Sequence, residues 1–208
     1  MITIGNRAVI LNKKDMLASR SINSNQIGIY LHWNGGRTCI EAFLKYCELK
    51  QFRSPDTDCY GWARLCQVIG NFFGGGLSLG IDCAKNLDCD NWDNGVYVIK
   101  GWEIVDRLNL KHGEWLTDYS VKDMLKEIDK RMPERERLGE GFFDAEEVSA
   151  EELQVGDTVF VFDSDSHCYS PRVVSITHDK VYYDGAMSSS IDLKQGFVPQ
   201  MVRRLPKS

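Results

Sequence analysis

The sequence predicts an α+β fold in two parts: a mixed α+β domain with an antiparallel sheet and about three helices, followed by a small β-barrel. Residues 1–133 mix short alternating apolar segments with apolar stripes at helical spacing. An acidic, glycine-punctuated stretch follows at 134–151, and 152–208 then hold only short strand-like segments between turn residues. We therefore expect an α+β domain at 1–133, an acidic linker at 134–151 and a barrel at 152–208.

The first domain opens with strands. Residues 2–11 are rich in β-branched and apolar side chains, which predicts one or two short strands. Residues 26–33 alternate apolar residues with polar or small ones and include the aromatic side chains of Tyr30 and Trp33, as a half-buried strand does. Asn34, Gly35 and Gly36 then predict a tight turn.

Start signals predict the first and third helices of this domain. Thr38 and Glu41 have the spacing at which each side chain bonds the other residue's backbone N–H, which places a helix over 39–51. Ser120 with Asp123 opens a third helix with its own apolar stripe, and Pro133 ends that stripe.

A second helix and three further strands complete the domain. The polar residues at 55–58 can cap the helix, and the glycines at 74–76 can end it. Strands are expected at 77–81, 95–100 and 102–108, so that two helices lie between the first strand and a later antiparallel meander.

The last segment has the pattern of a small all-β unit. Short strands with no helix among them favour a closed barrel, in which each strand covers the edge of the next. Leu153, Gly156 and Asp157 have the Leu-x-x-Gly-Asp spacing common where SH3-like barrels begin, and the segment resembles such barrels. The strands are expected at 158–162, 172–177, 180–184, 190–193 and 198–205.

Composition excludes several classes of protein. The 208 residues carry a net charge of −5, the wrong sign for a protein that neutralises phosphates over its whole surface. Residues 1–53 nevertheless hold eight basic against three acidic side chains, a balance of +5 that leaves −10 for the rest. No apolar run has the length of a membrane span and the N-terminal residues do not resemble a signal peptide, so we expect a cytoplasmic protein with no membrane partner.

Neither a disulfide framework nor a metal centre is expected. The seven cysteines are odd in number, and no two have the Cys-x-x-Cys spacing of a zinc site. The loop at 82–94 is rich in Asp and Asn, but it does not match an EF-hand, and such residues commonly form turns. A cation in that loop is left open, and no cofactor is expected.

The densest group of functional side chains lies where the second strand meets the first helix. There, aromatic and basic side chains flank a glycine turn that can present helix N–H groups to an anion or a partner. No complete catalytic constellation accompanies them, so we assign a partner-binding role, which basic residues near the C-terminus share. The residues so assigned are His32, Trp33, Asn34, Gly35, Gly36, Arg37, Arg203 and Arg204.

Two alternatives remain open. Cys39, in the first turn of the expected helix, and His32 are the residue types of a thiol hydrolase, because a helix N-terminus lowers a thiol pKa and a histidine can accept its proton. The other alternative is a nucleic-acid-binding module that uses the barrel and a basic face in the first quarter of the chain. The basic residues of that face are Arg7, Lys13, Lys14, Arg20, Arg37, Lys45, Lys50 and Arg53.

Three segments, IYLHWNGGRTCIEAFLKYC, CYGWARLCQVIGNFFGG and NGVYVI, resemble an uncharacterised protein family of phages and mobile elements of Firmicutes. The resemblance covers roughly residues 26–106 and carries no known reaction. It implies a non-enzymatic protein of the anti-CRISPR type, which binds and inhibits a host defence nuclease. The implied partner is a Cas effector, or its guide RNA or DNA, in the bacterial cytoplasm.

Overall fold

The computed structural model divides the chain into two compact units, 1–133 and 134–208, each taken by itself below. Helices and predominantly antiparallel strands lie side by side in the first unit, which confirms the predicted α+β class. Among the described residues, no helix is both long and apolar enough to cross a bilayer. The structure describes residues 6–18, 21–74, 78–111, 113, 118–139, 141–163, 165–184, 190–192 and 202–206.

The first unit is built on a five-stranded sheet of order β3-β2-β1-β4-β5. Its central pair, β1 and β4, is parallel, and its other three pairs are antiparallel. The strands are β1 (Ala8–Asn12), β2 (Ile27–Leu31), β3 (Leu79–Cys83), β4 (Val96–Lys100) and β5 (Glu103–Leu108).

Three helices pack against one another and against this sheet, with contacts to β3 and β5. They are α1 (Arg37–Leu49), α2 (Cys59–Phe73) and α3 (Val121–Arg131), and short 3-10 turns lie at Lys13–Asp15 and Ala84–Asn86. The carboxylate of Asp58 accepts hydrogen bonds from the first N–H groups of α2, and Gly74 ends that helix in the left-handed conformation at φ 62°. Gly75 and Gly76 lie outside the described residues.

The starts of α1 and α3 differ in how they are capped. The third helix begins after Ser120 as predicted, and Ser120 and Asp123 bond reciprocally there as a capping box. The box at Thr38 and Glu41 was wrong: α1 begins at Arg37, two residues earlier than expected, and Gly36 caps it without a side-chain hydrogen bond. The Glu41 carboxylate instead lies 2.6 Å from Nε of Arg37, one helical turn earlier, and forms an i,i+4 ion pair with it.

The core of the first unit extends to both faces of the sheet, because every side chain of β1 is buried. On one face, residues of β1 and β4 pack with Ala84 and with partly buried side chains of the neighbouring loops, such as Met16, Ile22 and Leu87. The central members of that cluster are Val9, Leu11, Val96 and Val98. Because the sheet is packed on both faces, the strand ends from which its loops start are held rigidly.

The second unit contains two small sheets, one of order β6-β12-β7-β8 and one of order β11-β10-β9. The closed SH3-like barrel stays a prediction, since residues 193–201 lie outside the described residues. The strands are β6 (Glu146–Val148), β7 (Val159–Phe162), β8 (Cys168–Tyr169), β9 (Val173–Ile176), β10 (Lys180–Tyr183), β11 (Ser190–Asp192) and β12 (Val202–Arg204). Short 3-10 turns lie at Glu134–Glu136, Phe142–Asp144 and Ala150–Glu152.

The stretch predicted as an acidic linker, 134–151, belongs to this second unit. Strand β6 lies within it and pairs antiparallel with β12, and Phe142 and Phe143 are buried. Phe142 packs edge-on against Phe160 of β7, with ring centroids 5.3 Å apart. Two apolar anchors and a paired strand therefore hold in place a segment whose acidic composition suggested a linker.

Candidate functional site

The six neighbouring residues assigned to partner binding run continuously from His32, directly after β2, to Arg37, the first residue of α1. The His32 N–H donates to the Ser78 carbonyl oxygen at 2.9 Å, so the turn begins at a hydrogen-bonded position beside β3. At its other end, Gly36 is the N-cap of α1. We call this segment the β2–α1 turn.

Two aromatic side chains of the β2–α1 turn face solvent. His32 is exposed, and 41% of the Trp33 surface is exposed. Their rings meet edge to face with centroids 5.1 Å apart, and Nδ1 of His32 lies 3.2 Å from the Tyr30 hydroxyl. The pair is therefore an exposed aromatic step whose histidine is held by a neighbour on the same face of β2.

The backbone beneath this step is tightly constrained. Asn34 adopts the left-handed conformation at φ 56°, and the Gly35 N–H donates to the Asn6 carbonyl oxygen at 2.7 Å. A Cβ atom on Gly35 would lie only 2.6 Å from that oxygen and 2.7 Å from Cβ of Ala8. Glycine is needed here because the turn passes against the backbone before β1, which fixes where Trp33 projects.

Arg37 faces solvent but already has an acidic partner. Its guanidinium forms the ion pair with Glu41 one helical turn later, and about half of the Arg37 side chain is exposed. The positive charge at the start of α1 is thus balanced within the helix, which weakens the predicted anion site.

Cys39 is fully buried, and its sulfur is hydrogen-bonded by residues other than His32. The Tyr119 hydroxyl lies 2.9 Å from the sulfur, and Nδ2 of Asn34 donates to it at 3.6 Å. Burial raises the pKa of the Cys39 thiol, although both hydrogen bonds act to lower it. The lowered pKa expected from the helix N-terminus is therefore wrong, and this geometry gives the thiol-hydrolase alternative no support.

Tyr119 is the residue that sequence reasoning missed. It lies just before α3, eighty positions from Cys39, and the pattern around it marks only a helix start. Its hydroxyl is both desolvated and bonded to the thiol, and both effects raise the pKa of the phenol, with burial the larger. A partner so distant in sequence has no local signature.

Arg203 and Arg204 lie on β12 of the second unit, where acidic neighbours engage both. Arg203 lies 2.6 Å from a Glu147 oxygen and stacks over the Phe142 ring. Arg204 lies 3.0 Å from a Glu146 oxygen, and this hydrogen bond is the main cause of its raised pKa. These are the residues directly opposite on β6, so the two arginines serve the strand pairing, and their geometry gives no support to a partner-binding role.

The predicted basic face is largely neutralised in space. Arg7 bonds the Asp93 carboxylate at 2.7 Å, and Lys45 and Arg53 pair with Glu48 and Asp58. Lys50 is buried, with its ammonium over the Phe52 ring, and Arg20 lies outside the described residues. The acids come partly from distant segments, so the excess of +5 counted along residues 1–53 does not form an open cationic surface.

The loop from Asp82 to Asn94 is ordered by hydrogen bonds between its own residues. Asn91 is fully buried, and its side-chain oxygen accepts from the N–H groups of Asp93 and Gly95. Within the part of the chain that the structure describes, no three His, Cys, Asp or Glu side chains are arranged to hold a metal ion.

Comparison with known proteins adds no relative: no family, no curated protein and no solved structure matches the chain. The resemblance to a phage and mobile-element family therefore stays a prediction from the quoted segments.

Proposed function

We propose that the protein is a non-enzymatic binding protein of a phage or mobile element that inhibits a bacterial defence nuclease of the Cas type. It contacts the nuclease through the β2–α1 turn, with Trp33 as the central anchor. The observation that carries the proposal is the exposed His32–Trp33 step on a backbone that Gly35 holds against Asn6. Exposed, preorganised aromatic side chains are the common anchors of protein interfaces.

The chemistry at the turn also favours binding over catalysis. The buried Cys39 thiol has a raised pKa and is bonded to Tyr119, whereas His32 is bonded to Tyr30. A thiol nucleophile instead needs a lowered pKa and a base within hydrogen-bond reach. An inhibitor needs neither, because a rigid surface that blocks the nuclease is sufficient.

Nucleic-acid binding has less support. Four residues of the predicted basic face, Arg7, Arg37, Lys45 and Arg53, are paired with the carboxylates of Asp93, Glu41, Glu48 and Asp58, so that face has fewer charges to neutralise phosphates than its sequence suggested. We therefore expect the chain to engage the protein component of a defence complex, and not its guide RNA or target DNA alone.

A titration of the purified chain into cleavage reactions tests the proposal. A panel of guide-loaded Cas effectors is used, and the guide RNA alone serves as a separate binding arm. We expect inhibition of at least one effector and a Trp33→Ala variant that is about tenfold to a hundredfold weaker, the range for an interface anchor. The matched control is Tyr60→Ala, which removes another exposed aromatic ring, 63% exposed on α2.

Two results would contradict the proposal. If no effector in the panel is bound or inhibited, the Cas-type inhibitor is rejected. If an effector is inhibited but Trp33→Ala and Tyr60→Ala behave alike, the β2–α1 turn is not the contact surface.

A further inference from the structure

We propose that Trp92 and Asp90 form a receptor site for an arginine or lysine side chain of a partner protein, a site that Lys111 of the same chain occupies in this structure. The Lys111 ammonium lies 5.5 Å from the centre of the Trp92 ring and 3.0 Å from Oδ1 of Asp90. An aromatic face beside a carboxylate is the combination that binds ammonium and guanidinium groups.

The conformation of Trp92 is the first argument. Its φ is 62°, a left-handed conformation that is unusual for a bulky residue, yet its side chain is 62% exposed. The apolar burial that could offset the strain is thus mostly absent. Such strain persists where the surrounding structure imposes it and commonly marks a binding site.

Asn91 supplies the surrounding structure that imposes this conformation. Its side chain accepts from the N–H groups of Asp93 and Gly95 and donates to the carbonyl oxygens of Asp88 and Gly95, all at 3.0–3.1 Å. These four bonds close the backbone on both sides of Trp92 with a buried side chain. The aromatic ring is therefore presented on a preorganised loop, which lowers the entropic cost of binding.

Lys111 marks the chemical class of the ligand. It lies in the loop after β5, which Asn109 fastens to the Trp92 loop by donating to the Cys89 carbonyl oxygen at 3.0 Å. The Lys111 and Asp90 side chains are 39% and 57% exposed, so their ion pair is weak and exchangeable. A guanidinium is the better competitor, since it stacks on the ring and bonds the carboxylate in one geometry.

Local charge favours a basic protein over an anion or a free metal ion. Asp88, Asp90 and Asp93 lie within six positions, and Arg7 already engages Asp93 at 2.7 Å and Asp88 at 3.4 Å. Asp90 is not among the carboxylates that Arg7 engages, so it can accept another cation once Lys111 moves away. That cation would also contact the Trp92 ring, as Lys111 does. One carboxylate and one ring suit an organic cation, whereas a metal ion needs several oxygen ligands.

The Trp92 site lies at the same end of the first unit's sheet as the β2–α1 turn. In the β2–α1 turn, the Gly35 N–H donates to the carbonyl oxygen of Asn6. In the Trp92 loop, the Asn94 N–H donates to the carbonyl oxygen of Arg7 at 3.2 Å. The adjacent residues Asn6 and Arg7 thus anchor the turn and the loop. The inference goes beyond the proposed function, because it names a second contact and its chemistry and does not depend on what kind of protein the partner is.

Binding of a fluorescent oligoarginine peptide at low salt, followed by anisotropy, tests the site. Trp92→Asn removes the ring, while asparagine tolerates the left-handed backbone, and we expect it to weaken binding about twofold to fivefold. Lys111→Ala removes the competing cation and should strengthen binding by a similar factor. Lys85→Ala is the charge-matched control for Lys111→Ala, and Glu103→Gln is the control for Asp90→Asn. Both control residues are exposed and lie outside the site.

The outcomes separate a site from general attraction. Weaker binding by both Trp92→Asn and Asp90→Asn, with stronger binding by Lys111→Ala alone among the lysine variants, supports the inference. It is overturned if Lys85→Ala strengthens binding as much as Lys111→Ala, or if Trp92→Asn binds like the parent chain. Binding of oligothymidine that depends on Trp92 would overturn it as well, since the ring would then bind bases.

Discussion

The hydroxyl oxygen of Tyr119 lies 2.9 Å from the sulfur of Cys39, which joins the residue before the α3 cap to the first turn of α1. The contact gives a buried thiol a polar partner and leaves it away from solvent. Because burial raises the pKa of Cys39, little of the reactive thiolate forms near neutral pH.

We expect Cys39 to react with iodoacetamide at least about tenfold more slowly than Cys59 at neutral pH, because reaction requires local opening as well as ionisation. Cys59 is the exposed comparison within the same unit. A time course of labelling, read by mass spectrometry of peptides, measures both rates in one sample. Faster modification of Cys39 would restore the thiol-hydrolase alternative.

Replacement of Gly35 tests the rigidity of the β2–α1 turn. Gly35→Ala should lower the free energy of unfolding by about 2–3 kcal/mol, because the new Cβ would lie 2.6 Å from the backbone oxygen of Asn6. Chemical denaturation followed by tryptophan fluorescence measures the change. Gly80→Ala is the control: its Cβ meets Tyr30 at an ordinary 3.7 Å, so we expect a change within about 0.5 kcal/mol. Equal effects of the two variants would show that the turn is not tightly packed.

Local determinants explain which helix starts could be predicted. The reciprocal bonds of Ser120 and Asp123 depend only on residues three positions apart, and the helix start predicted at these residues is present. At α1, two local patterns compete for Glu41, and the ion pair with Arg37 prevails over a cap at Thr38. The α+β class follows in the same way from local periodicity, which depends little on distant contacts.

The candidate site was less predictable, because its defining contacts join distant segments. Tyr119 meets Cys39 across eighty positions, and Asp93 neutralises Arg7 across eighty-six. A count of charges along the chain therefore overstated the basic face. The spacing of Cys39 and His32 likewise suggested a nucleophile and its base, but Cys39 is buried whereas His32 is exposed. The exposure of both His32 and Trp33 was not predictable either, because strand alternation places adjacent side chains on opposite faces of a sheet.

Arg204 should act on the stability of the second unit and not on partner binding. Its guanidinium lies 3.0 Å from Glu146 and 3.6 Å from Asp157, whose side chain is fully buried. Arg204→Ala should cost about 2–3 kcal/mol, because a buried carboxylate loses its cation, whereas Glu146→Gln, at an exposed acid, should cost less than about 1 kcal/mol.

Urea denaturation followed by NMR cross-peaks of 134–208 measures these changes, since all five tryptophans precede residue 134. Arg204→Lys keeps the positive charge but loses the planar set of guanidinium N–H donors, so it should lower the free energy of unfolding by an intermediate amount. If Arg204→Ala leaves stability unchanged and weakens the binding of a defence nuclease, Arg204 belongs to the partner surface after all.

Asp163 closes the hairpin between β7 and β8. Its carboxylate accepts from the backbone N–H of His167 at 2.9 Å, lies 3.0 Å from Nδ1 of that residue, and accepts from the Tyr169 hydroxyl at 3.1 Å. Desolvation raises the pKa of Asp163, but these hydrogen bonds and one from the Asp165 N–H together outweigh it and lower the pKa to about 2.

A lowered pKa in the folded state means that the ionised form stabilises the hairpin. That contribution is fully present above the unfolded value, about pH 4, and is lost as the pH falls through about 2. We therefore expect the second unit to lose stability between about pH 4 and pH 2, and Asp163→Asn to flatten that dependence and lower stability at neutral pH. The NMR amide cross-peaks of His167 and Tyr169, followed as the pH is lowered, measure this loss of stability. Asp165→Asn is the control from the same loop. An unchanged pH profile in Asp163→Asn would show that other carboxylates govern acid unfolding.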